Sequence, residues 1–420
     1  MRKFFACVGL AAAGTTGLQA AYAPDLNSME TTKLWSLSGT LRGFYDDNYL
    51  TTSGPGKRSS YGFEVSPSFN LNVPLQQTEL GLRYTYGLYY YQDRETLGEN
   101  PVDQTHQFDL WMDHAFSERW HAKVQDSFVM GQEPELINGG TLLRTSGDNI
   151  HNAGTITLDT QWTRLVGTEF SYQNNFYDYQ QNSDDDAGLL NRIEHLVSLD
   201  VNWRMLPTTL AFVGYQYGQI NYIGNESIAT SYGYVSDNRD NRSQYGYIGV
   251  QYNPLDNLSL AARAGIQYVD YYNPPAGMPS TSQVSPCANL SATYTYLPGS
   301  YAQVGFQQTR NATDVVGNPA LASGKITEDQ ESSVIYASIN HRFTPRLTGN
   351  VTGNLQFSTF NGGYYDSQSQ TMYSMGLNLS YSFNPHVSVE IGYNFDDLTS
   401  DVPGEKYQRN RVYAGVTGTY

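Results

Sequence analysis

From residue 58 the chain reads RSSYGFEVSPSFNLNVP, in which Tyr61, Phe63, Val65, Pro67, Phe69, Leu71 and Val73 are apolar and every residue between them is small or polar. A period of two places the first set on one face of an extended strand and the second on the other. The same rhythm returns at Trp35, Leu37, Gly39, Leu41, at Leu80 to Tyr90, at His195 to Trp203, at Leu258 to Tyr268, and at Tyr373 to Phe383 followed by Val387 to Phe395. It predicts about 18 strands: near 33–46, 59–73, 78–92, 105–117, 119–131, 149–161, 164–178, 190–205 and 208–222, then near 243–253, 257–271, 283–296, 300–311, 331–343, 346–361, 369–383, 386–397 and 407–420. Many of these are about twice the usual strand length of ~5–6 residues.

The connections alternate as well. VPLQQ, SER, MLPT, NPLDN, YLPGS, FTPR and FNPH are tight, whereas TTSGPGKRSS, MGQEPELINGGTLLRTSGD, NNFYDYQQNSDDDAG and IGNESIATSYGYVSDNRDNR are long and polar. Long amphipathic strands with short turns at one end and long loops at the other predict an all-β, transmembrane, antiparallel up-and-down β-barrel, its short turns periplasmic and its long loops extracellular. The strands are long because ~9–11 tilted residues are needed to cross a bilayer. An even strand number puts both ends of the barrel on the periplasmic side. A soluble β-sandwich is the alternative, with shorter strands and less regular loops.

Composition fits this picture. The chain of 420 residues has a mean hydropathy of -0.48, which is blind to strands with one wet and one greasy face. Only 15% of residues are charged, and Tyr, Asn, Gln, Ser, Thr and Gly stand where a soluble protein carries Lys and Glu. Arg2 and Lys3 precede an apolar run, Phe4 to Ala13, and Ala21-Tyr22-Ala23 suits a cleavage site, so residues 1–23 read as a secretory signal peptide and 24–420 as the barrel. Cys7 falls in that segment, which leaves Cys287 without an intramolecular disulfide partner. Without Arg2 and Lys3, 22 basic residues face 40 acidic ones, a net of -18. A basic nucleic-acid footprint is absent.

Strand phase assigns residues to lumen or lipid. Pairing Phe116 with Trp120 sets Asp113 opposite Lys123 on the polar face, an opposite-charge pair that favours this register. The same phase turns Arg42, Glu64, Arg83, Asp109, Trp111, Glu194, Asp200, Arg204, Arg263, Glu390 and Arg411 toward the lumen, with much of the net negative charge left for the loops. Trp35, Trp120, Trp162 and Trp203 fall beside the periplasmic turns, as an aromatic girdle requires, and Tyr45, Tyr90, Tyr177, Tyr222, Tyr271 and Tyr364 fall toward the opposite rim. Val412, Ala414, Val416 and Tyr420 alternate to the end of the chain and resemble the C-terminal strand signal read by the barrel assembly machinery; Gly418 departs from it. Four residues resist the scheme. Asp126 and His106 sit on the apolar phase, and Pro67 and Pro286 remove ladder donors; a bulge would rescue each, and either the local register differs from the phase given above or the strands bend there.

Candidate chemistry is sparse. His114 and His121 flank one turn near Asp113, but on opposite phases and without a nucleophile motif. A barrel hydrolase using His114 is thus a weak alternative. Asp184-Asp185-Asp186 offers hard oxygen ligands for calcium, with a plain solvated loop the blander account. The Tyr-rich wall suits either a stacking track for sugars or ordinary girdle and lumen filling. No cofactor or metal is implied.

Gly43-Phe44-Tyr45-Asp46-Asp47-Asn48, followed by VSPSFNLNVPLQQTELGLRYTYGLYYYQDR, resembles the first hairpins of the outer-membrane β-barrel porins encoded beside exopolysaccharide or capsule genes, which carry similar Y-D-D-N, V-S-P and L-P-L-x-x-T patterns. The match covers about the first seventy residues after the signal. The resemblance implies an outer-membrane location and a part in polysaccharide export; it carries over no catalytic residues. The expected function is a passive, water-filled channel for small hydrophilic, sugar-like solutes, with an exopolysaccharide export or surface-assembly component as the alternative. The expected partners are membrane lipid, the assembly machinery, and those solutes or polysaccharide; no interface signal sets an oligomeric state.

Overall fold

The structure is a computed structural model that describes residues 33–131, 149–180, 188–224, 226–229, 233–318, 320, 322 and 324–420. The signal peptide at 1–23 and Asp184-Asp185-Asp186 lie outside the described residues. The strands are β1 (Trp35–Asp46), β2 (Ser60–Pro74), β3 (Thr78–Tyr91), β4 (Val102–Ala115), β5 (Trp120–Gly131), β6 (Asn149–Gln161), β7 (Val166–Tyr179), β8 (Arg192–Leu206) and β9 (Thr209–Tyr222), then β12 (Asn241–Leu255), β13 (Leu258–Tyr271), β14 (Thr281–Leu297), β15 (Ser300–Asn311), β16 (Asp329–Arg342), β17 (Leu347–Asn361), β18 (Ser369–Asn384), β19 (Val387–Ser400) and β20 (Tyr407–Thr419). Between β9 and β12, β10 (Ser227–Ala229) and β11 (Tyr234–Val235) form a separate small ribbon.

Each of the 18 long strands pairs antiparallel with its chain neighbours, and β1 pairs with β20 from Ser38↔Thr419 to Asp46↔Arg411, which closes the sheet into a barrel with no free edge. Closure gives every wall strand a hydrogen-bonded neighbour on both sides. The number of strands and nearly all their positions are as the alternation predicts. Apart from shifts of two residues at the inner ends of β1 (Trp35), β4 (Ala115), β7 (Val166) and β12 (Leu255), the differences lie at the outer ends: β4 begins at Val102, β12 at Asn241 and β16 at Asp329, and β19 runs to Ser400. There the outward residues Gln104 and Arg242 are polar too, so the two-residue rhythm fades although the pairing continues.

Exposure alternates along many of the strands, most regularly on β1, β2, β12, β18 and β20. Ile248 and Val284 are 67% and 66% exposed, whereas Glu64, Asn70, Ser171, Ser198 and Asn289 are buried. In a closed sheet the crowded face is the concave one, so the apolar side chains look outward and the polar ones inward. No helix among the described residues is long and apolar enough to cross a membrane.

The expected bulges are elsewhere. Register shifts occur at the tight turns, between Arg204 and Leu206, Tyr252 and Leu255, Thr295 and Leu297, and Ser382 and Asn384. Gly299 in YLPGS takes φ +79 directly after Pro298, the combination that the second central position of a type II turn requires. At Pro67 the ladder to β1 is unbroken, and that to β3 skips from Val65↔Leu88 to Ser68↔Thr85 in the same register. Asp126 lies in continuous register between Leu110 and Gly154. Pro286 pairs with Ile266 of β13, but the ladder between β14 and β15 starts only at Ala288↔Gln308. Beyond that point Arg310 fills the seam, its Nε donating to Ser285 Oγ (2.9 Å) and its Nη1 to Asp329 Oδ1 (2.8 Å).

The outer connections form small cores of their own. Leu189, Leu190, Ile228, Tyr234 and Ile326 bring three of them together, and Val315 and Val402 join two across Phe360 at the outer end of β17. These segments are polar on average, and their few apolar residues have no period that sequence reasoning could detect.

Candidate functional site: the barrel interior and its outer mouth

The inward face carries side chains from every wall strand. Arg42 on β1 donates from Nε to Glu390 Oε1 (2.6 Å) on β19 and from Nη1 to Glu64 Oε1 (3.2 Å) on β2. Asn378 extends this network, giving its amide to Glu390 Oε2 (3.0 Å) and Tyr413 Oη (2.9 Å). Arg83 and Asp109 are Cα partners with a 3.0 Å ion pair, and Ser127 donates to Asp109 Oδ1 at 2.8 Å. Beside them Trp111 lies over Gly81, where an added Cβ would stand 1.9 Å from the indole.

Asp113 and Lys123 are Cα partners, as the hairpin argument requires, and His121 Nδ1 stands 3.8 Å from Asp113. Glu194 binds Arg192 at 2.7 Å. Asp200 accepts from Tyr247 Oη at 2.7 Å, and the Arg263 guanidinium sits 4.8 Å from that ring's centre. Arg411 reaches Asp46 at 3.5 Å next to the tighter Arg409 pair at 2.6 Å. Arg204 pairs with Leu210 one step from the β8–β9 turn and is exposed at the rim. The polar-phase residues are therefore distributed around the wall in separate clusters.

Two inward acids were not singled out from sequence. Asp159 is the Cα partner of Glu169, and Glu169 that of Asp200, so three carboxylates stand in a lateral row across β6, β7 and β8. Each was visible on the polar phase of its own segment, but the row exists only through inter-strand register.

The outer mouth was also invisible in sequence. Arg239, fully buried, donates from Nη1 to Thr313 O (2.7 Å) and from Nη2 to Val315 O (2.6 Å) and Thr327 O (2.8 Å). This ties the β15–β16 connection to the β9–β12 connection. Burial pulls the guanidinium below its ordinary value. Nearby, burial pushes Asp240 up, although Tyr222 N–H donates to it at 2.7 Å, and burial pushes Glu328 up while Thr281 donates to it. Tyr222 and Tyr271 close the cluster from the wall, and Tyr271 donates to Asp329. The tyrosines lie at the outer rim as expected, but not all face lipid: Tyr177, Tyr222 and Tyr271 are 3%, 6% and 3% exposed and turn inward, Tyr177 under the Arg192 guanidinium and Tyr271 donating to Asp329; Tyr45, Tyr61, Phe63 and Tyr90 form the outward aromatic set at that end.

At the other rim Trp35 packs near Tyr420 (5.8 Å between centroids) and Trp120 on Trp162 (5.6 Å), while Trp203 is half exposed beside the β8–β9 turn. Val412, Ala414, Val416 and Tyr420 share the outward phase of the last strand, with Tyr420 bonded back to Leu37. His114 faces outward against Phe116 with its Nδ1 2.8 Å from Thr78 Oγ1, while His121 faces inward, so the turn does not bring them together. Among the described residues no three His, Cys, Asp or Glu side chains are grouped to hold a metal ion.

The profile of the family described as "Putative beta-barrel porin 2" matches residues 37–420. Solved structures similar to the chain include a BenF-like porin from Pseudomonas fluorescens Pf-5 (12% identity, TM-score 0.48, covering 92% of this chain and 99% of that one) and OccK9 (OpdG) from Pseudomonas aeruginosa (13%, 0.47, 92% and 98%). OccAB4 from Acinetobacter baumannii is similar over 93% of this chain and 100% of its own, at 10% identity and TM-score 0.41. No curated protein matches the chain.

Proposed function

The chain belongs to the family described as "Putative beta-barrel porin 2", and from that premise we propose that this outer-membrane barrel is a passive channel for small hydrophilic, sugar-like solutes. One observation carries the reading: a closed 18-stranded wall is apolar outside and lined inside by hydroxyls, amides and charges from every strand. Barrels of ~16–18 strands are wide enough to leave an aqueous passage. Most inward charges are paired with neighbours, as Arg42 is with Glu64 and Glu390 and Arg83 with Asp109, so neutral solutes meet a wall of donors and acceptors in place of one dominant sign. Transport of this kind uses no cofactor and no catalytic residue.

The same reading assigns supporting roles. Trp35, Trp120, Trp162 and Trp203 anchor the periplasmic rim in the headgroup layer; Val412, Ala414, Val416 and Tyr420 serve recognition by the assembly machinery; residues 1–23 direct export. Swelling of liposomes loaded with the purified protein tests the channel. Swelling in small neutral sugars, falling with sugar size, supports it; swelling no faster than in protein-free liposomes overturns it.

A further inference from the structure

The bore has two unlike sides. The inward charges below the mouth lie on β1–β8, β13, β19 and β20. β14, β17 and β18 hold no Asp, Glu, Lys or Arg. Those of β15 and β16 stand at the strand ends, Arg310, Asp329 and Glu331 at the mouth and Arg342 at the periplasmic turn. Between these ends the inward face from β14 to β18 carries amides and hydroxyls around one aromatic ring at mid-height, that of Tyr336 in the middle of β16.

Tyr336 lies against Gly305, its Cα partner on β15: a Cβ there would stand 2.2 Å from Tyr336 Cζ and 2.3 Å from its Oη. The ring therefore follows the wall in place of crossing the bore, and it is partly exposed. Gln303 and Gln307 stand two residues to either side of Gly305 on the same face, and Asn354 is the Cα partner of Tyr336 on β17. Among the described residues none of these four side chains has a hydrogen-bond partner, and Asn354 Oδ1 is closed off from water as well. Asn289, 4% exposed and the Cα partner of Gln307 on β14, is unpaired too. Two other inward rings are already occupied. Tyr247 lies against Gly214 and Tyr413 against Gly392, but Arg263 (4.8 Å) and Arg42 (5.2 Å) sit over those rings, and Asp200 and Asn378 bond their hydroxyls.

We propose that Tyr336, framed by Gln303, Gln307 and Asn354, is a subsite that binds one pyranose ring of a neutral saccharide on its way through the bore. An aromatic face is negative and attracts the C–H face of a sugar. Amides donate and accept at once, as neighbouring sugar hydroxyls require. A buried amide oxygen without a partner costs free energy, and a hydroxyl entering the subsite supplies the missing bond. No charge on this side of the bore compensates an ionic solute for its lost water, so acidic and basic sugars gain nothing here. The subsite names the solute of the channel reading and rests on that reading.

Two readouts on the purified protein separate the subsite from the channel. In a planar bilayer, maltotriose should reduce the ion current along a saturable curve. Tyr336→Ala should raise the half-blocking concentration about tenfold, the loss of one well-packed aromatic contact, while heat-modifiability on gels shows that the barrel still folds. Tyr336→Phe, which keeps the ring, should stay close to the unaltered protein, and Gln307→Ala should raise the half-blocking concentration several-fold. Glucuronate should give no saturable block. Block that never saturates, or that is equal with and without the Tyr336 ring, overturns the subsite and leaves the channel standing. In detergent solution, saturation transfer from the protein's aromatic protons to the ring protons of maltotriose reads binding without transport. It should be strong in the unaltered protein and in Tyr336→Phe and weak in Tyr336→Ala; no transfer in the unaltered protein overturns the subsite. Absence of any ion current overturns the channel reading, and this proposal with it.

Discussion

Arg239 donates to three backbone carbonyls from a position shut off from water, and among the described residues no carboxylate forms an ion pair with it. An arginine stays charged even there, so the β15–β16 connection is held by charge-assisted bonds that alanine cannot replace. Arg239→Ala should free that connection while leaving the barrel intact. Each such bond is worth ~1.5–3 kcal/mol, and one alone corresponds to about tenfold in the population of the open loop. Cleavage by trypsin after the exposed Lys325 should accelerate by at least that factor; an unchanged rate would remove Arg239 as the tie. Within the wall, Gly81→Ala drives a methyl into the Trp111 indole, and the ring must swing into the bore. Overpacking of this kind costs ~1–3 kcal/mol, read as a lower denaturant midpoint, and single-channel current should fall with it. Residues whose role comes from their own strand's phase, such as Arg42 or Asp109, were legible in the sequence. Arg239 was not, because its role depends on carbonyls 74 to 88 positions away.

At the scale of elements, the strands were legible because a wall between lipid and a wet interior imposes one apolar face per strand. Where that demand lapses, above the membrane at β4, β12 and β16, the ends were misplaced by two or three residues. The register between distant strands was not legible, and the Asp159–Glu169–Asp200 row is a product of it. These neighbouring carboxylates are a local exception to the paired charges of the wall. In a potassium chloride gradient the reversal potential should show a modest cation preference, reduced by Glu169→Gln and further by adding Asp159→Asn. The mouth connections have their own pH response. Burial holds Glu328 above its ordinary 4.5 and Asp240 above its ordinary 3.8. A raised acid favours the folded loop while it is neutral, so this stabilisation is present below the ordinary values and lost as pH rises through the folded ones. Loop-gating noise in single-channel records should therefore be lower at mildly acidic pH than at neutral pH. Glu328→Gln should flatten that dependence.

The whole molecule is one cylinder in which a single rule, apolar outward and polar inward, recurs on 18 strands and is closed by β1 against β20. The rule is broken at depth by Asp126 with its donor Asn152, and the outer mouth obeys different physics, that of small loop cores. A wall of this kind makes sense only with acyl chains on one side and water on the other. Single-channel recording of the purified protein in a planar bilayer tests that most directly. The account predicts discrete, ohmic current steps that added neutral sugars reduce; a protein that inserts into the bilayer as a folded barrel and passes no current would contradict it.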